Sequence, residues 1–282
     1  MMKTCKWFWN AQGLVIGALL ATSLCAGAAD ELNADQSLKR LLDGNQRYVT
    51  GAVTRPDQSM ERRQELVKGQ KPFAIILCCS DSRVPPEIVF DQGLGDLFIV
   101  RTAGNVFDNI ALGSLEYAAE HLKVPLLVVL GHAKCGAVSA TVQGGHAPGH
   151  IFSVVEAISP AVEKAKEQQG DTLNNAVRIN ASMIAERLRS SEPIMAERGK
   201  KGGLKIVAAR YDLETGAVEL IQALKQLRDD QIPACLMMIG GAVSSSNASN
   251  QQYYNLVRHT IQELGLQDDV FWTGYLPNDQ VS

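Results

Sequence analysis

The chain has no block of lysines and arginines, and its formal net charge is −3. A nucleic-acid-binding surface needs a basic footprint, so that class of function is set aside. It has no apolar run of about 20 residues, the length that a membrane-crossing helix requires. It has no Cys-x-x-Cys pair, which argues against a thiol redox protein even though Cys78 and Cys79 are adjacent. What remains is a chain with ample apolar content for a packed core and enough length for one large domain plus a smaller piece.

The first residues read as a secretory signal rather than as fold. Lys3 and Lys6 give a positive start, and Gly13 to Leu24 is an apolar stretch. Ala26-Gly27-Ala28 then supplies a small-x-small cleavage site, so 1–28 is a signal peptide and Ala29 the new amino terminus. Export to the periplasm or beyond follows, with no stable membrane anchor after cleavage. Leu24 before Cys25 does not match lipoprotein processing. Loss of the two lysines moves the charge to about −5. Four cysteines stay with the mature chain: Cys78, Cys79, Cys135 and Cys235. An ordinary bridge between neighbours such as Cys78 and Cys79 is strained, and in a strand they face opposite sides.

Helical spacing is expected at Ser37–Tyr48, Gln58–Val67, Asn109–Leu122, Val154–Gln168 and Leu173–Ser190, with a further helix starting at Ala137–Val142. Continuous apolar runs at Phe73–Cys78 and Leu126–Leu130 read as buried parallel strands, and Asp96–Arg101 as another. Leu204–Ala209 and Ala217–Ile221 form a hairpin-like pair around Glu214-Thr215-Gly216. Residues 144–150 read as a loop whose His146 and His150 are solvated. Strands alternating with helices predict an α/β fold with a mainly parallel sheet flanked by helices.

Two stretches carry the chemistry. Cys79-Ser80-Asp81-Ser82-Arg83 and His132-Ala133-Lys134-Cys135-Gly136 each follow a buried strand, so both emerge at carboxyl ends, where open α/β sheets place their sites. Two thiolates and one imidazole suit tetrahedral zinc with the fourth position open, as in a catalytic site. Asp81 and Arg83 put an acid and a fixed cation beside the first ligand.

Cys79-x-Asp81-x-Arg83 followed by His132-x-x-Cys135-Gly136 resembles the β-class carbonic anhydrases, with similarity from about Leu38 to about Leu220. The resemblance implies Zn2+ held by Cys79, His132 and Cys135, and hydration of carbon dioxide to bicarbonate by zinc-bound hydroxide. It implies that Arg83 keeps Asp81 off the metal, where Asp81 accepts a hydrogen bond from the bound water; with the pair broken, Asp81 becomes a fourth ligand. Gln70 matches a substrate-side donor, and Phe98 and Tyr117 match apolar pocket positions supplied across a subunit contact. A homodimer or larger homo-oligomer is implied in the same way. Gly136 stands where a close backbone approach suits glycine, and Thr102 where many relatives have asparagine. Ile76 replaces the tryptophan of the bicarbonate-inhibited subtype and has no indole donor. Alternatives on the same pattern are a carbon disulfide or carbonyl sulfide hydrolase and a non-catalytic zinc-binding protein.

Similarity to carbonic anhydrases stops near Ile221, so the domain is placed at 29–221 and an appended segment at 222–282. There, Leu236–Gly241 reads as a strand with a glycine turn, Gln252–Leu264 as a helix leading into Gly265-Leu266, and Val270–Pro277 as a strand. This order resembles a short part of the nucleotide-sugar-binding half of GT-B glycosyltransferases. Its motifs are structural, so no transferase activity is expected.

Overall fold

The computed structural model describes residues 32–145, 147–220, 236–239 and 270–274. The expected signal peptide, His146, Cys235, the helix over 252–264 and the 221/222 boundary lie outside them. Two long strands set the frame. β1 (Ala74–Cys79) and β3 (Leu126–His132) are buried at every position, as their unbroken apolar sequence requires of strands covered on both faces. They pair in parallel, Ile75 opposite Leu127 through Cys78 opposite Leu130. β2 (Leu97–Thr102) and β4 (Lys205–Tyr211) add parallel neighbours, and β5 (Val218–Glu219) closes antiparallel, giving the order β2-β1-β3-β4-β5.

Helices cover both faces. On one, α4 (Asn109–Glu120) and α7 (Thr172–Arg189) pack Leu115, Ala119, Ala181, Ile184 and Leu188 on Ile75, Leu77, Leu127 and Val129. On the other, α1 (Ala34–Thr50) and α3 (Pro86–Val89) enclose Ile76, Cys78, Leu126 and Val128 with Leu41 and Phe90. Cys78 and Cys79 do face opposite sides. α1 opens on a capping box in which Asn33 and Gln36 satisfy each other's backbone N–H groups. α2 (Met60–Glu65) runs into a short 3₁₀ turn at Leu66–Lys68. α5 (Gly136–Gln143) and α6 (Ile151–Lys166) pack beside the carboxyl ends of β1 and β3.

Two differences from the sequence reading matter. Cys79 and His132 are the last residues of their strands, not the first after them, so the sheet's hydrogen bonding orients both. α8 (Ile194–Lys200) was not anticipated. Its signal is short, and it lies between Pro193 and the Lys200-Lys201-Gly202-Gly203 break. Farther on, β6 (Leu236–Ile239) and β7 (Val270–Gly274) pair in parallel, as a strand–crossover–strand unit would. Among the described residues no helix is long and apolar enough to cross a membrane.

Candidate metal centre

The strand ends bring Cys79, His132 and Cys135 together, with one donor atom of each within 4.8 Å of the others. All three are buried. Cys79 arrives on β1 and His132 on β3, while Cys135 lies at the amino end of α5. Lys134 turns the chain between them with a left-handed φ of 52°. The sulfurs of Cys79 and Cys135 are 3.9 Å apart.

The histidine is set up as a possible ligand. The Ala133 carbonyl lies 2.9 Å from His132 Nδ1. A carbonyl can only accept, so Nδ1 carries the hydrogen and Nε2 keeps its lone pair. Nε2 is buried and has no hydrogen-bond partner among the described residues. A buried acceptor facing two thiols fits a metal ion of zinc's preference. The two thiols are not alike: the hydrogen bond with Cys135, joined by His132 and the Asp81 and Gly104 N–H groups, outweighs burial and lowers Cys79, while the same contact and burial push Cys135 up.

Asp81 and Arg83 sit beside this group as the sequence implied. Arg83 Nε and Nη2 donate to the two carboxylate oxygens at 2.9 and 2.7 Å, and the Arg83 backbone N–H donates to Oδ1 at 2.9 Å. The guanidinium holds the Asp81 carboxyl well below the usual carboxylate range. Asp81 Oδ2 stands 3.8 Å from His132 Nε2. Arg83 also reaches the Lys134 carbonyl at 3.4 Å, which ties the two motifs together.

Sequence reasoning missed Arg101. From β2 it donates to the carbonyls of Cys79 at 3.0 Å and Asp81 at 2.6 Å, clamping the turn between them. Its only signal was a cation inside a strand. The turn at Gly104 was also missed as a site element: its N–H lies 3.3 Å from Cys79 Sγ.

Other expected positions fall differently. Phe98 and Tyr117 do meet, with ring centroids 6.4 Å apart, but at the β2 edge of the sheet. Gln70 is exposed and makes no hydrogen bond among the described residues. A single chain therefore does not bring these three to the Cys79–His132–Cys135 group by any hydrogen bond or ring contact. A Cβ built at Gly136 meets nothing within 4 Å among the chain's own atoms, so packing within the chain does not by itself call for glycine there. Thr102 spends its hydroxyl on the Val106 carbonyl. Ile76 is fully buried in the core.

Comparison with known proteins agrees with the geometry. The carbonic anhydrase family matches residues 74–218, and the glycosyl transferases group 1 family matches residues 192–282. The two overlap over 192–218, a stretch that takes in α8, β4 and the first residue of β5. Since β4 pairs with β3 from Leu126–Lys205 to His132–Tyr211, the β4 residues belong to the five-stranded sheet. The chain is 45% identical over 189 residues to a carbonic anhydrase of Mycolicibacterium smegmatis, covering 64% of this chain and 90% of that one. It is 42% identical over 186 residues to carbonic anhydrase 2 of Mycobacterium tuberculosis, with the same coverages. A Coccomyxa β-carbonic anhydrase structure superposes with a TM-score of 0.53 at 25% identity, over 65% of this chain and 85% of that one.

Proposed function

Since this chain belongs to the β-class carbonic anhydrase family, we propose that it hydrates carbon dioxide reversibly at a zinc ion held by Cys79, His132 and Cys135. The observation that carries this reading is the unpartnered, buried His132 Nε2 facing two thiols. When bound, zinc supplies the Lewis acidity that lets water ionise near neutral pH.

The chain's own residues do the rest. Asp81 is ionised, so Oδ2 can only accept, and it orients the reacting water by taking a hydrogen bond from it. Arg83 holds both carboxylate oxygens in a fork and keeps Asp81 from closing on the metal ligands. Arg101 fixes the backbone that carries Asp81. Val106, Ala137, Val138 and Ile158 pack around the two cysteines, which keeps bulk water from the sulfurs and suits an apolar substrate.

The same reading extends to assembly. Tyr117 is 48% and Ile110 is 81% exposed, on one face of α4 beside the edge strand β2. A second copy packed there would cover this face and bring Phe98 and Tyr117 toward its own metal centre, which supports a homodimer or larger homo-oligomer. Export through cleavage after Ala28, and a body of 29–221 with an appended 222–282, remain part of the proposal. Amino-terminal sequencing of periplasmic protein should begin at or near Ala29, and a product starting at Met1 would contradict export.

Stopped-flow hydration of carbon dioxide, run beside hydrolysis of carbon disulfide and carbonyl sulfide, tests the substrate. Rapid hydration with slow turnover of the sulfur compounds is expected. The reverse order would favour the sibling hydrolase, and bound zinc without any turnover a non-catalytic zinc protein.

A further inference from the structure

The face of α7 that meets the sheet is apolar, with Val177, Ala181, Ile184 and Leu188 buried, except for Asn180, which is 2% exposed. A buried amide in such a stripe is costly unless it is hydrogen-bonded. Asn180 Nδ2 donates to the Gly104 carbonyl at 2.8 Å, and the Gly104 N–H points to Cys79 Sγ at 3.3 Å. Gly104 has φ 68° and ψ 19°, a left-handed turn. A Cβ there would lie 2.5 Å from Ile158 Cδ1 and 3.3 Å from Ala137 Cβ. The turn is thus pressed between α5 and α6 on one side and held by its carbonyl on the other.

We infer that Asn180 is a positioning residue for the Cys79 thiolate: by anchoring the Gly104 carbonyl it locks the turn whose N–H donates to the sulfur. The inference rests on the reading of Cys79 as a metal ligand. An N–H donor on a metal thiolate draws charge from the sulfur and sets how strongly it gives electrons to the ion, the same control that outer partners exert on metal-bound histidines. Asn180 touches neither substrate nor metal and acts only through Gly104.

Asn45 offers a control. It is also buried, and its Nδ2 donates to the Val89 and Gly216 carbonyls at 3.0 and 2.8 Å, but these lie on the α1 side of the sheet. Asn180→Leu, the isosteric Asn180→Asp and Asn45→Leu should be loaded in turn with zinc and with cobalt(II). Both Asn180 variants should bind zinc about tenfold more weakly and shift the thiolate-to-cobalt charge-transfer absorption. Asn45→Leu should lose thermal stability while leaving affinity and absorption as in the parent. Parent-like affinity and absorption in both Asn180 variants would overturn the inference. Should neither variant fold, amide exchange in the unmutated zinc-loaded protein decides it: slow exchange at Gly104 supports the locked N–H, and rapid exchange overturns it. A parent that takes up neither ion would overturn the metal reading itself, a separate outcome.

Discussion

Asp81–Arg83 and Asp91–Arg47 are both carboxylate–arginine pairs, yet they occupy opposite kinds of place. Asp81 and Arg83 are two residues apart, with Arg83 half exposed and Asp81 at the lip of the metal centre. Asp91 and Arg47 come from distant segments, and the Asp91 side chain is only 2% exposed. Asp91 accepts from Arg47 Nε at 2.6 Å, from the Thr54 N–H and hydroxyl at 2.9 Å each, and from the Arg55 N–H at 2.8 Å. It ties the segment after α1 to the end of α3. The inner acid satisfies buried donors and holds chain segments together. The outer one satisfies almost nothing but its own arginine, which leaves an aimed acceptor beside His132. A pair with little structural duty is free to serve chemistry.

The comparison can be broken at its reference point first. Cys135→Ser should abolish stoichiometric zinc binding and hydration together, measured by metal analysis and stopped flow. Full zinc with full turnover would remove the metal centre from the account.

Next, Asp81→Asn should lower kcat/KM about a hundredfold while shifting stability by no more than about 1 kcal/mol, the scale of exposed ion pairs. Because Arg83 depresses the Asp81 pKa, the carboxylate stays charged throughout the neutral range. The parent's activity profile should therefore show no carboxylate step there. Near-parental kcat/KM in Asp81→Asn would reduce Asp81–Arg83 to a surface ion pair.

Asp91→Asn should do the reverse, with unchanged kcat/KM and a loss of about 2 kcal/mol in denaturant unfolding. Burial pushes Asp91 up, but the Thr54, Arg47 and Arg55 donors outweigh it and bring it from 3.8 down to about 2. Since the folded pKa is depressed, this stability is present above about pH 4 and is lost as pH falls through about 2. A parent and variant whose stabilities stay equally far apart through that window would contradict the assignment.

The smallest effect is expected from truncation after Gln222, which removes no proposed site residue. Hydration should stay within a few-fold, and failure to fold would show that the appended segment supports the body.

The metal group was legible because β1 and β3 are unbroken apolar runs and their ends carry three ligand-type residues. Each motif is weak alone, and it is the likeness of Cys79-x-Asp81-x-Arg83 and His132-x-x-Cys135 to the family pattern that joins them. Arg101, Gly104 and Asn180 were not read as site elements: Arg101 and Asn180 bond backbone carbonyls of distant segments and Gly104 offers its own N–H to a distant sulfur, contacts that no local pattern reveals. Asn180 did leave a trace, as an amide that adjoins the apolar stripe of Val177, Ala181, Ile184 and Leu188. Gln70, Phe98 and Tyr117 were named by likeness to relatives, and within a single chain no hydrogen bond or ring contact links them to the three ligand-type residues. α8 was lost because its short sequence lies between a proline and a glycine-rich break.

Zinc titration of metal-free protein, with hydration rate and bound zinc read on the same sample, tests the central claim most directly. The account predicts activity rising in proportion to zinc and levelling at about one ion per chain, the stoichiometry of a three-ligand site with one open position. Activity independent of added zinc, or full zinc uptake with no hydration, would contradict it.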